Sequence, residues 1–119
     1  MKKILIIEDE KPMAKALELK LSHAGFEAKA VFNGEDGVNE LSNNVYDLVL
    51  LDLVMPKMDG FSVLREIQKM NITTPVIVLS NLSQEADEEK VRELGAQDFF
   101  IKSNTPINFI IEKVTNILK

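Results

Sequence analysis

The chain has no cysteine, one histidine and only four prolines in 119 residues, and its 14 lysines and arginines are outnumbered by 19 acidic residues. Without cysteine there can be no disulfide framework. The formal net charge of -5 leaves no clustered basic excess for gripping a phosphate backbone, so direct nucleic-acid binding is not expected. No apolar run is long enough for a membrane span, and that of the opening MKKILIIEDE is too short for a signal peptide. A cytoplasmic protein with no membrane partner fits these features. The lone His23 has no ligand-spaced companion and reads as a solvated residue near a helix end. Repeats, linkers and low-complexity segments are also lacking. With 45% hydrophobic and 28% charged residues, the length suits one compact domain over residues 1–119 and is too short for two.

What is present is an alternation. Residues 4–7, 26–32, 48–51, 76–79 and 99–101 are short runs rich in Ile, Val, Leu and Phe, the pattern of strands covered on both faces. Helix-period segments lie between them. Met13, Leu17, Leu21 and Ala24 share one face of the first, which Gly25 can stop. Val38 and Leu41 mark a weak second helix, and Val63, Leu64, Ile67 and Met70 a third. Residues 84–94 read as an acidic fourth helix with few apolar anchors, its charges at 85–89 forming a solvated face. The last opens with Thr105 as N-cap and Pro106 at the first helical position, then sets Ile107, Ile110, Ile111, Val114 and Leu118 on one face. Five β-α units in strict alternation predict an α/β fold, a parallel sheet with helices on both sides.

In such sheets the ligand crevice lies outside the carboxyl ends of the strands. Four of the five predicted strand ends carry a useful polar group: Glu8 and Asp9 after the first, Asp52 after the third, Ser80 after the fourth and Lys102 after the fifth. Asp52 stands inside the apolar stretch DLVLLDLVMPKMD of residues 47–59. An ionised carboxylate costs several kcal/mol to bury without a partner, so it must face outward or meet a cation. Each residue also has a plainer reading. Asp52 could be a polar strand end, Glu8 and Asp9 favourable charges near a helix N-terminus, and Lys102 a solvated lysine. Met55, Pro56, Asp59 and Gly60 read as shaping the loop after the third strand and starting the next helix.

With Glu8-Asp9, Asp52, the MPKMDG of residues 55–60, Ser80, Gly95-Ala96 and Lys102 in register, nearly the whole chain resembles the receiver domain of two-component response regulators. The resemblance implies a flavodoxin-like sheet of order 2-1-3-4-5, which sets Asp9 and Asp52 in one pocket. It also implies a phosphorylation-dependent switch, not a turnover enzyme. By the same resemblance, Mg2+ is expected to be held by Asp9 and Asp52 directly, by the Val54 carbonyl, and by Glu8 mainly through water. Asp52 then takes a phosphoryl group from a sensor histidine kinase or phosphotransfer protein. Lys102 and the metal neutralise charge, and Ser80 hydrogen-bonds the new group, helped by the backbone N–H groups of Val54 and Asn81. A downstream effector reads the altered face of the fourth helix, fifth strand and fifth helix, where Phe109 points outward, and a phosphorylation-dependent homodimer is allowed. Elementary electrostatics agrees with the metal: carboxylates about 4 Å apart repel by roughly 4 kcal/mol per pair at a surface-like dielectric, and magnesium prefers oxygen ligands.

Three positions tune or depart from the family pattern. Phe99 stands where many members carry an aromatic that swings inward, and without a phenol its rotation is steric only. Asn81 replaces a small residue and crowds the phosphoryl position. Ser103 replaces a proline whose preceding peptide is usually cis. A cis bond before a non-proline residue costs roughly 2.5 to 4 kcal/mol, so Lys102-Ser103 is expected to be trans, with Lys102 still drawn into the acidic pocket. An aspartate-nucleophile phosphatase of the haloacid dehalogenase type would need a second acid where Val54 stands. The nearer alternative is a receiver-like interaction module acting without phosphorylation. Since no linker residues trail the fifth helix, a free-standing receiver is the expected form.

Overall fold

Successive side chains of a strand point to opposite faces, so a run such as Ile4-Leu5-Ile6-Ile7 can be wholly buried only where both faces are covered. The computed structural model, which describes residues 1–82 and 85–119, shows how this is met. The elements run β1 (Lys3–Ile7), α1 (Lys11–His23), β2 (Glu27–Val31), α2 (Gly34–Asn43), β3 (Leu48–Leu51), α3 (Gly60–Lys69), β4 (Val76–Ser80), α4 (Glu85–Glu93), β5 (Asp98–Ile101), a single 3-10 turn (Lys102–Asn104) and α5 (Ile107–Ile117). The five strands pair in parallel in the order β2-β1-β3-β4-β5, the flavodoxin-like arrangement.

Two cores fill the faces. Ile4, Ile6, Leu48, Leu50, Ile77 and Leu79 pack against Ala14, Leu17 and Leu21 of α1 and Ile110 and Val114 of α5. Leu5, Ile7, Val49, Leu51, Val76 and Val78 pack against Leu41, Val63, Leu64, Ile67 and Val91 of the other three helices. Each buried Val, Leu or Ile side chain among them contributes roughly 1.5 to 3 kcal/mol by leaving water. No helix among the described residues is long and apolar enough to cross a membrane.

Some expectations need correction. β2 is an edge strand and is not covered on both faces: Glu27 and Lys29 are exposed, and charges of this kind discourage pairing with other chains. Its neighbour Phe32 lies outside the strand and is exposed. In α1 the core position is Ala14, while Ala24 is the exposed C-cap, after which Gly25 turns the chain with φ +94°. Thr105 does not cap α5. Its hydroxyl donates to the Ile101 carbonyl at 2.8 Å across the 3-10 turn, and Pro106 occupies the cap position without a side-chain bond. Gln84, the expected start of the fourth helix, lies outside the described residues.

Candidate functional site

The ladder fixes the site before any side chain is considered. Ile7 pairs with Leu51, and the bonds continue one residue further, with Asp52 N–H donating to the Ile7 carbonyl at 2.9 Å and Glu8 N–H to Val31 at 3.0 Å. Glu8 and Asp52 therefore leave adjacent central strands side by side on rigid backbone. The loop after β3 is held just as closely. Lys57 takes a left-handed φ of 69°, and Met58 N–H reaches back to the Pro56 carbonyl at 2.8 Å, a tight three-residue turn that a non-glycine residue adopts only under constraint. Asp59 then caps α3 by accepting the Ser62 N–H at 2.8 Å. Gly60 follows because the chain passes so near Asp52 that a Cβ there would overlap the Asp52 carbonyl and the Leu53 backbone.

Lys102 returns from the end of β5 into this corner. The peptide after it is trans, and its ammonium lies 2.6 Å from Glu8 Oε1, 2.8 Å from Glu10 Oε1 and 3.3 Å from Asp52 Oδ2. Only 8% of the lysine side chain is exposed. One cation thus faces three carboxylates, with Asp9 beside Asp52 as a fourth. Burial pushes the Glu8 carboxyl up to about 7, more strongly than Lys102 pulls it down. Burial likewise raises Asp52, opposed by Lys102 and the Val54 amide. For Lys102, burial alone would favour the neutral amine, but the hydrogen bonds to Glu10 and Glu8 and the charge of Asp52 hold it above the ordinary lysine range.

Asp9, Glu10, Asp52, Val54, Ser80, Asn81, Leu82 and Lys102 line an open cleft of about 350 Å3. Asp9 and Asp52 do share one pocket, while Val54 stands at its mouth with 60% of its surface exposed. Ser80 is fully buried, and its hydroxyl oxygen accepts the Leu82 N–H at 3.2 Å. The two departures flanking this cleft meet each other: the Asn81 side-chain oxygen accepts the Ser103 N–H at 3.2 Å, a donor that proline would lack. Phe99 is buried against the core, and Phe109 is 42% exposed with its ring edge-on to Phe100 at 5.6 Å. A wider cleft of about 440 Å3 opens at the opposite end of the sheet between Gln68, Thr73, Gln97 and Ile117, but none of its lining residues is titratable.

The compact carboxylate trio is Glu8, Glu10 and Asp52, with oxygens within 4.8 Å of one another, where the sequence suggested Glu8, Asp9 and Asp52. The reason is Lys102, which draws the Glu10 side chain inward. Glu10 is the site residue that sequence reasoning missed, and its only local signal was the third acid of the EDE triplet. The donor set suits magnesium: hard carboxylate oxygens, more negative charge than one lysine balances, and an open side for water and a phosphate.

A family model described as response regulator receiver domain matches residues 4–114. Among curated proteins, the transcriptional regulatory protein DltR of Streptococcus agalactiae serotype III is 38% identical over 100 residues, covering 84% of this chain and 45% of DltR. The chain spans about half the length of the curated relatives it matches. Among solved structures, the Francisella response regulator 1452 receiver domain superposes with a TM-score of 0.93 at 30% identity, covering 98% of this chain and 96% of that one. The BeF3-activated DrrB receiver domain gives 0.88 at 29% identity, covering 99% and 97%.

Proposed function

The chain belongs to the response regulator receiver domain family, and from that premise we propose that residues 1–119 act as one phosphorylation-dependent switch with Asp52 as phosphoacceptor. The observation that carries the reading is the convergence of Asp52, Lys102 and Ser80 from three different strand ends on one cleft. The donor is a phosphohistidine of a sensor histidine kinase or phosphotransfer protein. An oxygen of ionised Asp52 forms the new O–P bond as the N–P bond breaks, and the bonding pair returns to the imidazole nitrogen. Such transfers proceed through loose in-line transition states that need positioning and charge neutralisation more than proton transfer.

Asp9 and Asp52, with the Val54 carbonyl, would hold Mg2+, and Glu8 would act through its water. When bound, the metal supplies a Lewis acid that neutralises the transferring phosphoryl oxygens. Lys102 places its ammonium beside the acceptor oxygen and favours the ionised form that burial opposes. Ser80, already at the cleft with its hydroxyl oxygen accepting the Leu82 N–H, turns its own O–H to donate to a phosphoryl oxygen. That turn draws on the backbone just after β4, and a downstream effector or a second copy reads the changed α4-β5-α5 face.

Intact-mass measurement after treatment with Mg2+ and acetyl phosphate tests the assignment. The wild-type protein should gain one phosphoryl group, and Asp52→Asn should gain none. An unmodified wild-type protein would point to an interaction module that works without phosphorylation, and a normal mass gain in the Asn variant would remove Asp52 from its role.

A further inference from the structure

Lys102 has one more partner than phosphoryl transfer requires. An ammonium offers three hydrogens, and its two shortest contacts go to Glu8 and Glu10, with Asp52 the most distant of the three. A phosphoryl group on Asp52 replaces a single carboxylate charge with a more highly charged group bearing three acceptor oxygens, and these compete with Glu8 and Glu10 for the same ammonium. Glu8 is a poor candidate for release because it is 2% exposed, and a buried carboxylate stripped of its cation is strongly unfavourable. Glu10 differs. Its side chain is 59% exposed, water can solvate it at once, and among the described residues Lys102 is its only side-chain partner.

We propose that Glu10 is a resting-state latch: a positioning residue that holds the Lys102 ammonium toward the start of α1 and gives it up to the phosphoryl oxygens when Asp52 is modified. This inference rests on the phosphoacceptor reading of Asp52. The latch makes the resting state more favourable and so opposes modification. Because the Glu10 end is solvent-screened, its strength is that of an exposed ion pair, and its removal should change rates or equilibria by about two- to fivefold. The contact spans 92 positions of sequence. It also ties the N-cap of α1 to the turn after β5, so unlatching frees both segments together.

Two variants separate the latch from a simple loss of charge. Glu10→Gln removes the ion pair and the charge. Glu10→Asp keeps the charge but shortens the arm by one methylene, which lengthens and weakens its 2.8 Å contact with the ammonium. Both should be modified about two- to fivefold faster than wild type by Mg2+ and acetyl phosphate at low ionic strength, and both should bind beryllofluoride more tightly. In chelator, without donor, the Lys102 ammonium protons should exchange with water faster in both variants than in wild type, as followed by 15N-detected NMR. Equal rates in all three proteins overturn the latch, as does slower modification of the variants, which would make Glu10 a ligand. A faster Gln variant beside an Asp variant that behaves like wild type also overturns it, leaving only a charge effect. If wild type itself is not modified, the phosphoacceptor reading falls and the latch with it, a result distinct from all the others.

Discussion

Glu8 should make the metal-free protein less stable as the pH rises through neutrality. Its carboxyl is buried at 2% exposure and titrates at about 7 instead of 4.5, with burial the main cause and the charge of Asp52 adding to it. A group whose folded pKa is raised binds its proton more tightly in the native state. Its stabilising contribution is therefore complete below about 4.5 and is lost as the pH rises through about 7. At 1.36 kcal/mol per unit the whole window is worth about 3 kcal/mol, of which about 2 kcal/mol lies between roughly pH 5.5 and pH 8. Asp52, also raised by burial, acts in the same sense. Glu10, lowered by its bond to Lys102, and Glu40, lowered by its bonds to Tyr46 and Lys29, act in more acid solution and do not offset it. For a domain of this length 1 kcal/mol corresponds to about 4 °C, so Tm in chelator should fall by roughly 8 °C between these two pH values. Thermal unfolding followed by circular dichroism reads this directly. Glu8→Gln should flatten most of the slope. Added Mg2+ should raise Tm more at the higher pH, where the carboxylates are free of protons. A wild-type Tm at pH 8 equal to or above that at pH 5.5, or an unchanged slope in Glu8→Gln, would refute the reasoning.

Other consequences can be checked separately. Gly60→Ala places a Cβ against the Asp52 carbonyl and Leu53, so it should lose about 1 to 3 kcal/mol in urea unfolding and slow the modification of Asp52; an unchanged midpoint would show that the loop relaxes freely. Asn81→Ala removes the acceptor for the exposed Ser103 N–H and should lose about 0.5 to 1.5 kcal/mol. The same change in a Ser103→Pro background should lose nothing, and an equal loss there would disprove the pairing. Beryllofluoride or phosphorylation should alter amide exchange across α4, β5 and α5, because Val91 is the one buried residue of α4; changes confined to α1 or α2 would contradict this.

The order of elements and the location of the cleft were legible from local pattern. Strands such as residues 4–7 and 48–51 announce themselves because both faces must be apolar, and a parallel sheet puts every strand's carboxyl end on one side. That rule alone singles out Glu8, Asp9, Asp52, Ser80 and Lys102 as candidates, since each stands at or just beyond a strand end. Errors arose where a local signal competed with something distant. Thr105 is a good N-cap by type, yet the 3-10 turn before it offers the Ile101 carbonyl, and its hydroxyl takes that instead. The run at 26–32 reads as a covered strand, but strand order makes β2 an edge, so Glu27 and Lys29 stay in water.

The sequence alone determined the kind of fold, the rim that bears the candidate site and most of the residue types on it, because those follow from periodicity and from where charge can be tolerated. Only the tertiary structure decided how that charge is shared. Lys102 and Glu10 are separated by 92 positions and meet only because β1, β3, β4 and β5 align their ends. Asn81 and Ser103, two departures that look unrelated along the chain, are hydrogen-bonded neighbours across the cleft. A short-range pattern cannot encode such pairs. The geometry of a long, flexible side chain is set by the electrostatic field of everything folded around it, and that field exists only once the sheet has closed.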